Sequence, residues 1–139
     1  MKTILLIDDD TSFREVAMAV LLAADYDVLQ AACPDDAFKL LERERVDLIL
    51  CDLHMPFAFG ERYSQFEHSH RVGIKTIQEL SGVFPQIPVI GLTATPRVDL
   101  ERIARTLGEI PTFEKPGSGV ELLGIVERCF EMPGVAYRQ

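Results

Sequence analysis

A chain of 139 residues with a formal net charge of −8 has the size of one ordinary domain, long enough to bury a core. The acidic balance argues against non-specific nucleic-acid binding, and no run approaches the roughly 18 apolar residues of a membrane span. Met1-Lys2-Thr3 leads straight into an apolar run with no signal peptide before it, and Cys33, Cys51 and Cys129 lack metal-ligand spacing, so a cytoplasmic protein with reduced thiols is expected.

Thr3 to Ile7 is predicted to be a buried strand ending in Asp8-Asp9-Asp10. A helix follows, with Phe13, Val16, Ala17, Val20, Leu21 and Ala24 at helical spacing. Its cap is Asp10 or Ser12, the latter at capping-box distance from Glu15. Tyr26 to Ala32 reads as a strand of weaker pattern. Pro34 opens a helix that turns Ala37, Leu40 and Leu41 to the core and leaves its Glu42 to Arg45 end solvated. Leu48 to Cys51 is short and continuously apolar, as a strand buried on both faces of a parallel sheet should be, and it closes on Asp52. From Phe57 to Val72 no period is sustained, so an irregular insertion over 57–72 is expected. Helical spacing resumes with Ile74, Ile77, Leu80 and Phe84. Ile87 to Leu92 is the next buried strand, closing on Thr93, and Leu100, Ile103, Ala104 and Leu107 mark a helix that Gly108 stops. Thr112 to Glu114 is a short strand before Lys115-Pro116, and the last helix buries Leu122, Val126, Cys129 and Phe130. Pro133-Gly134 ends it, so one domain over 1–131, a tail over 132–139 and no second domain are expected.

Strand and helix alternate throughout, which predicts an α/β fold: a doubly wound, five-stranded parallel sheet with helices on both faces. The site of such a sheet lies outside the carboxyl ends of its strands. Those ends carry Asp8, Asp9 and Asp10, then Asp52, Thr93 and Lys115. Carboxylates crowded at one rim repel by ~4 kcal/mol per pair at about 4 Å and an effective dielectric near 20. A divalent cation removes that repulsion, and ligands that are all oxygen favour Mg²⁺. Lys115 adds a compact positive charge and Thr93 a hydroxyl donor. Together these residue types suit phosphoryl transfer to an aspartate, Asp52. Singly, each has a plainer reading: Asp10 as a helix cap, Thr93 as a turn residue, Lys115 as a solvated strand-end lysine, and Asp52 as a loop carboxylate.

The motifs Ile7-Asp8-Asp9-Asp10, Cys51-Asp52-Leu53-His54-Met55-Pro56, Leu92-Thr93-Ala94 and Glu114-Lys115-Pro116, in that order and each at a strand end, make the chain resemble the receiver domains of two-component response regulators. The resemblance implies a flavodoxin-like receiver fold of the single-domain, chemotaxis-regulator type. It implies that Asp52 accepts a phosphoryl group from the phosphohistidine of a sensor histidine kinase or phosphotransfer protein. Asp8, Asp9, Asp52 and the backbone carbonyl of His54 would hold Mg²⁺, while Thr93 and Lys115 would contact the phosphoryl oxygens. It also allows a cis Lys115–Pro116 bond. Output would pass by conformational change to a downstream protein, with no direct DNA binding and no membrane insertion. Such a protein is a signalling phosphoacceptor, and at most catalyses its own phosphorylation and dephosphorylation.

Three positions depart from that pattern. The aromatic usual three residues before the lysine is Thr112 here, and Phe113 should face the opposite side of the sheet. Gly117 follows Pro116 where an apolar residue is common. The glycine that normally follows the Met-Pro turn is Gly73, beyond the insertion, with Gly60 as a competing alignment. Asp8-Asp9-Asp10-Thr11 also resembles the first motif of haloacid-dehalogenase-type phosphatases, with Asp8 as nucleophile. No acidic pair follows Lys115, however, and Asp52-Leu53-His54-Met55-Pro56 would then go unexplained. A receiver-like docking module that is never phosphorylated is the remaining alternative, although every acidic, hydroxyl and lysine position is filled. His54, His68 and His70 could be drawn as a metal cluster, but a solvated loop explains the last two equally well.

Overall fold

The computed structural model describes residues 1–54, 71–94, 105–108 and 110–131. Its strands are β1 (Thr3–Ile7), β2 (Asp27–Ala31), β3 (Leu48–Asp52), β4 (Val89–Thr93) and β5 (Thr112–Glu114). Its helices are α1 (Thr11–Ala23), α2 (Pro34–Leu41), α3 (Arg71–Val83) and α4 (Gly119–Glu131), with a further helical turn at 105–107. All strand pairs are parallel, in the order β2-β1-β3-β4-β5. The order reverses at β1, so the crevice outside the ends of β1 and β3 is where such a sheet receives a ligand.

Side-chain alternation along the strands divides the core in two. Leu5, Ile7, Ile49, Cys51 and Val89 face Ala37 and Leu41 of α2 and Ile77 and Leu80 of α3. Ile4, Leu6, Leu48, Leu50, Ile90 and Leu92 face Ala17 and Leu21 of α1 and Leu122, Val126 and Cys129 of α4. β3 and β4 are buried at every position, as their continuous apolar runs predict. Thr112 lies beside Gly91 and Ile77, whereas Phe113 packs into the opposite core with Leu92 and Leu122, so the expected alternation of these two residues holds.

Several local expectations are settled by capping and packing. Asp10, not Ser12, caps α1, its Oδ1 accepting from the Phe13 N–H at 3.2 Å. Val16 was expected in the buried stripe, but it is 59% exposed. Ala17 and Leu21 already define the face toward the sheet, and Val16 is about 100° round the helix from Ala17. Arg71 and Val72 form the start of α3, so the irregular segment stops short of the expected 72. Gly108 has φ +65°, the left-handed conformation of a helix stop, next to buried Leu107. The segment 55–70, the stripe positions Leu100, Ile103 and Ala104, and the tail 132–139 lie outside the described residues.

Gly73 makes a close contact that suits the glycine expected after the Met-Pro turn, while Gly60 lies outside the described residues. A Cβ at Gly73 would collide with the backbone of Leu53, the residue that follows Asp52. The glycine therefore lets α3 pack directly on the exit of β3. Gly73→Ala is expected to destabilise the protein by ~1–3 kcal/mol, the usual cost of overpacking, seen as a lower urea midpoint at unchanged slope. An unchanged midpoint would mean that α3 does not need this close approach.

Candidate functional site

Asp8 directly follows β1 and is 1% exposed. Its backbone N–H donates to the Ala31 carbonyl at 3.0 Å, continuing the sheet, while Arg14 Nη1 donates to the Asp8 carbonyl at 2.6 Å. The carboxylate is thereby aimed over the rim. Oδ1 accepts from the Asp10 N–H at 2.9 Å. Oδ2 is fully buried and is met by the Lys115 ammonium at 2.8 Å.

Lys115 follows β5, and its N–H donates to the Thr93 carbonyl at 2.6 Å. The side chain reaches back across the rim, with Nζ 3.9 Å from Asp10 Oδ2 and 4.4 Å from the centre of the Phe13 ring. A cation on an aromatic face is held electrostatically, so Phe13 supports the ammonium from beneath. No peptide bond among the described residues is cis, so Lys115–Pro116 is trans, contrary to the cis alternative. The trans form is the ordinary preference of an X–Pro bond.

Asp52 ends β3 and is 5% exposed. Its Oδ1 accepts from the His54 N–H at 3.3 Å. Thr93 ends β4 and is fully buried, with its Oγ1 3.0 Å from His54 Nε2. Carboxylate oxygens of Asp8, Asp9 and Asp52 lie within 4.8 Å of one another. The rim thus unites every residue that the sequence nominated: Asp8, Asp9, Asp52, His54, Thr93 and Lys115.

Crowding shows in the electrostatics. Burial, and after it the charge on Asp8, pushes the Asp52 carboxyl up to about 8, against the opposing pull of Lys115 and the His54 N–H. Asp9 is raised for the same two reasons. Burial works to lower the Lys115 ammonium, but Asp8, Asp52 and Asp10 together outweigh it and the net shift is upward. The Cys51 thiol, buried and facing the charges of Asp52 and Asp8, is pushed well above its ordinary value and stays protonated.

Three converging carboxylates with one ammonium against them fit a small hard cation. Among the described residues the group consists of carboxylates alone, a donor set of oxygen that suits a hard metal rather than a softer one.

The model of the response regulator receiver domain matches residues 4–127. The chain belongs to the response regulator receiver family. This receiver is 29% identical to the transcriptional regulatory protein ZraR of Salmonella typhimurium, over 81% of its own length and 23% of that protein. It spans about half, or less, of the curated relatives it matches. Among solved structures it is similar in fold to a CheY-like receiver from Methanospirillum hungatei, with a TM-score of 0.75, 21% identity and 94% of both chains covered. It is also similar to TrrA of Thermotoga maritima in complex with Mg²⁺ and BeF, with a TM-score of 0.69 and 25% identity over 92% of this chain and 98% of that one.

Three contacts of the receiver's site escaped the sequence reading. Phe13 packs against the core as its helical spacing predicts, and its ring also underlies Lys115. Arg14 carried no motif, yet it fixes the Asp8 backbone. The ring of His54, considered only for its backbone carbonyl and for a loop cluster, meets Thr93.

Proposed function

We propose that this receiver takes a phosphoryl group onto Asp52 from the phosphohistidine of a sensor kinase or phosphotransfer protein, with Mg²⁺ held by Asp8, Asp9, Asp52 and the His54 carbonyl. The observation that carries the reading is the convergence of three carboxylates, a buried threonine hydroxyl and a lysine at one rim. The complex of TrrA with Mg²⁺ and BeF supports the same reading by similarity. The cation, when bound, neutralises the carboxylates and the charge that develops on the transferred group.

Asp52 is the nucleophile. With Oδ1 engaged by the His54 N–H, Oδ2 is the oxygen left to form the new P–O bond as the P–N bond of the donor breaks. The leaving imidazole keeps the electron pair and takes up a proton. Lys115, paired with Asp8 at 2.8 Å, would set its ammonium against the phosphoryl oxygens. The Thr93 hydroxyl donates to another of those oxygens. Output then passes to a downstream protein rather than to DNA, which the net charge of −8 disfavours.

The test is incubation with acetyl phosphate. One phosphoryl group per chain should appear in Mg²⁺ and none in excess chelator. No incorporation in Mg²⁺ by a folded protein would overturn the proposal.

A further inference from the structure

Two contacts place His54 at the centre of the rim. Its N–H reaches Asp52 Oδ1 at 3.3 Å, and its ring Nε2 lies 3.0 Å from Thr93 Oγ1. The parallel pairing of β3 with β4 sets Asp52 opposite Leu92, so Asp52 and Thr93 are offset by one residue on adjacent strands. His54, two residues past Asp52, spans that offset. Thr93 itself is fully buried, so its hydroxyl has no bulk water to turn toward.

A threonine hydroxyl has one proton to donate and two lone pairs to accept with. A phosphoryl oxygen is an acceptor only. If the imidazole accepted from Thr93, the proton needed by the phosphoryl group would be taken. If the imidazole donates, that proton stays available and the hydroxyl is held in one rotamer. We propose that His54 is a positioning residue: its Nε2–H donates to Thr93 Oγ1 and directs the single Thr93 proton toward the phosphoryl group on Asp52. This rests on the phosphoacceptor reading above and assigns the His54 side chain a role distinct from its backbone carbonyl.

The arrangement also bears on Thr112. That side chain lies against Gly91 on the α3 side, with its hydroxyl 3.4 Å from the Ile110 carbonyl. That hydroxyl is engaged with Ile110, while Thr93 Oγ1 meets His54 Nε2.

A double-mutant cycle tests the assignment, because a residue that acts through another has no effect once that other is gone. Replacement of His54 leaves its backbone N–H and carbonyl in place. His54→Ala should slow acetyl-phosphate labelling by roughly threefold to tenfold, the size of one lost hydrogen bond, with partial rescue by His54→Gln, whose amide can donate. In a Thr93→Val background, His54→Ala should change nothing further. Equal slowing in both backgrounds, or no slowing in the parent, would overturn the role.

A readout independent of labelling is the ¹⁵N spectrum of the imidazole. The Nε2-protonated tautomer is expected, with its signal moving on Thr93→Val. A signal at the Nδ1-protonated position, or one indifferent to Thr93→Val, would also overturn the role. Failure of the parent protein to label would instead count against the phosphoacceptor reading, and the ring spectrum keeps these two failures apart.

Discussion

Replacing Asp52 by Asn is expected to stabilise the cation-free protein at pH 8 while abolishing phosphoryl uptake. The two effects share one cause. Asp52 is 5% exposed and lies among Asp8 and Asp9, so its charged form is disfavoured until its carboxyl titrates near about 8. Each unit by which a folded-state pKa departs from its ordinary value is worth about 1.36 kcal/mol between the two protonation states. Structural relaxation and the nearby Lys115 ammonium reduce what a substitution recovers, so a gain of ~1–3 kcal/mol is expected. Asn keeps the shape and can still accept from the His54 N–H, but its amide cannot form an acyl phosphate. The urea midpoint should rise at pH 8 and labelling by acetyl phosphate should vanish. A variant no more stable than the parent would deny the crowding; one that still labels would deny the acceptor.

The second large effect is a pH dependence that the cation reverses. A carboxyl whose pKa is raised from 3.8 to about 8 keeps its proton in the folded chain where the unfolded chain has lost it. Its contribution to stability is complete below pH 3.8 and is lost as pH rises through about 8. Asp9, also raised, adds to the same trend. Lys115 is raised as well, but a raised ammonium loses its contribution only above its ordinary 10.5, outside this window. The cation-free protein should therefore lose stability between pH 5 and about pH 8.

On the proposed function, Mg²⁺ would bind the ionised carboxylates and compete with the proton on Asp52. At a hundredfold excess over its dissociation constant it should add about 2.7 kcal/mol, more fully at pH 8 than at pH 5. Thermal midpoints across this range should slope downward in chelator and flatten or rise in Mg²⁺. Parallel slopes with and without the ion would separate the carboxylate cluster from any cation role.

How far the sequence carried this picture varied with the kind of signal. Buried strands such as Leu48–Asp52 and Val89–Thr93 were legible because burial on both faces demands an unbroken apolar run. Asp8, Asp52, Thr93 and Lys115 were legible because a charged or hydroxyl group at the end of such a run is conspicuous. Val16 was misjudged because an apolar residue at the flank of a stripe fits the helical period as well as one at its centre. The last helix shows a missed cap. Ser118 Oγ accepts from the Glu121 N–H at 3.3 Å and Glu121 Oε2 from the Gly117 N–H at 3.1 Å, and a Ser-x-x-Glu spacing was there to be read.

Contacts across the sheet were beyond sequence reading for a physical reason. The pairing of His54 with Thr93, and of Phe13 with Lys115, follows from strand order and rotamers rather than from local pattern. Gly73 falls between the two cases. Its glycine was visible, but its contact with the Leu53 backbone was not.

The identity of the acceptor is tested most directly by trapping the acyl phosphate. Protein labelled with acetyl phosphate in Mg²⁺ is reduced with borohydride, which converts a phosphorylated aspartate to homoserine, and the converted residue is located by peptide sequencing in a mass spectrometer. Conversion at Asp52 alone is the expected result. Conversion at Asp8 with Asp52 intact would contradict it and make the rim that of a phosphatase with its nucleophile just after β1.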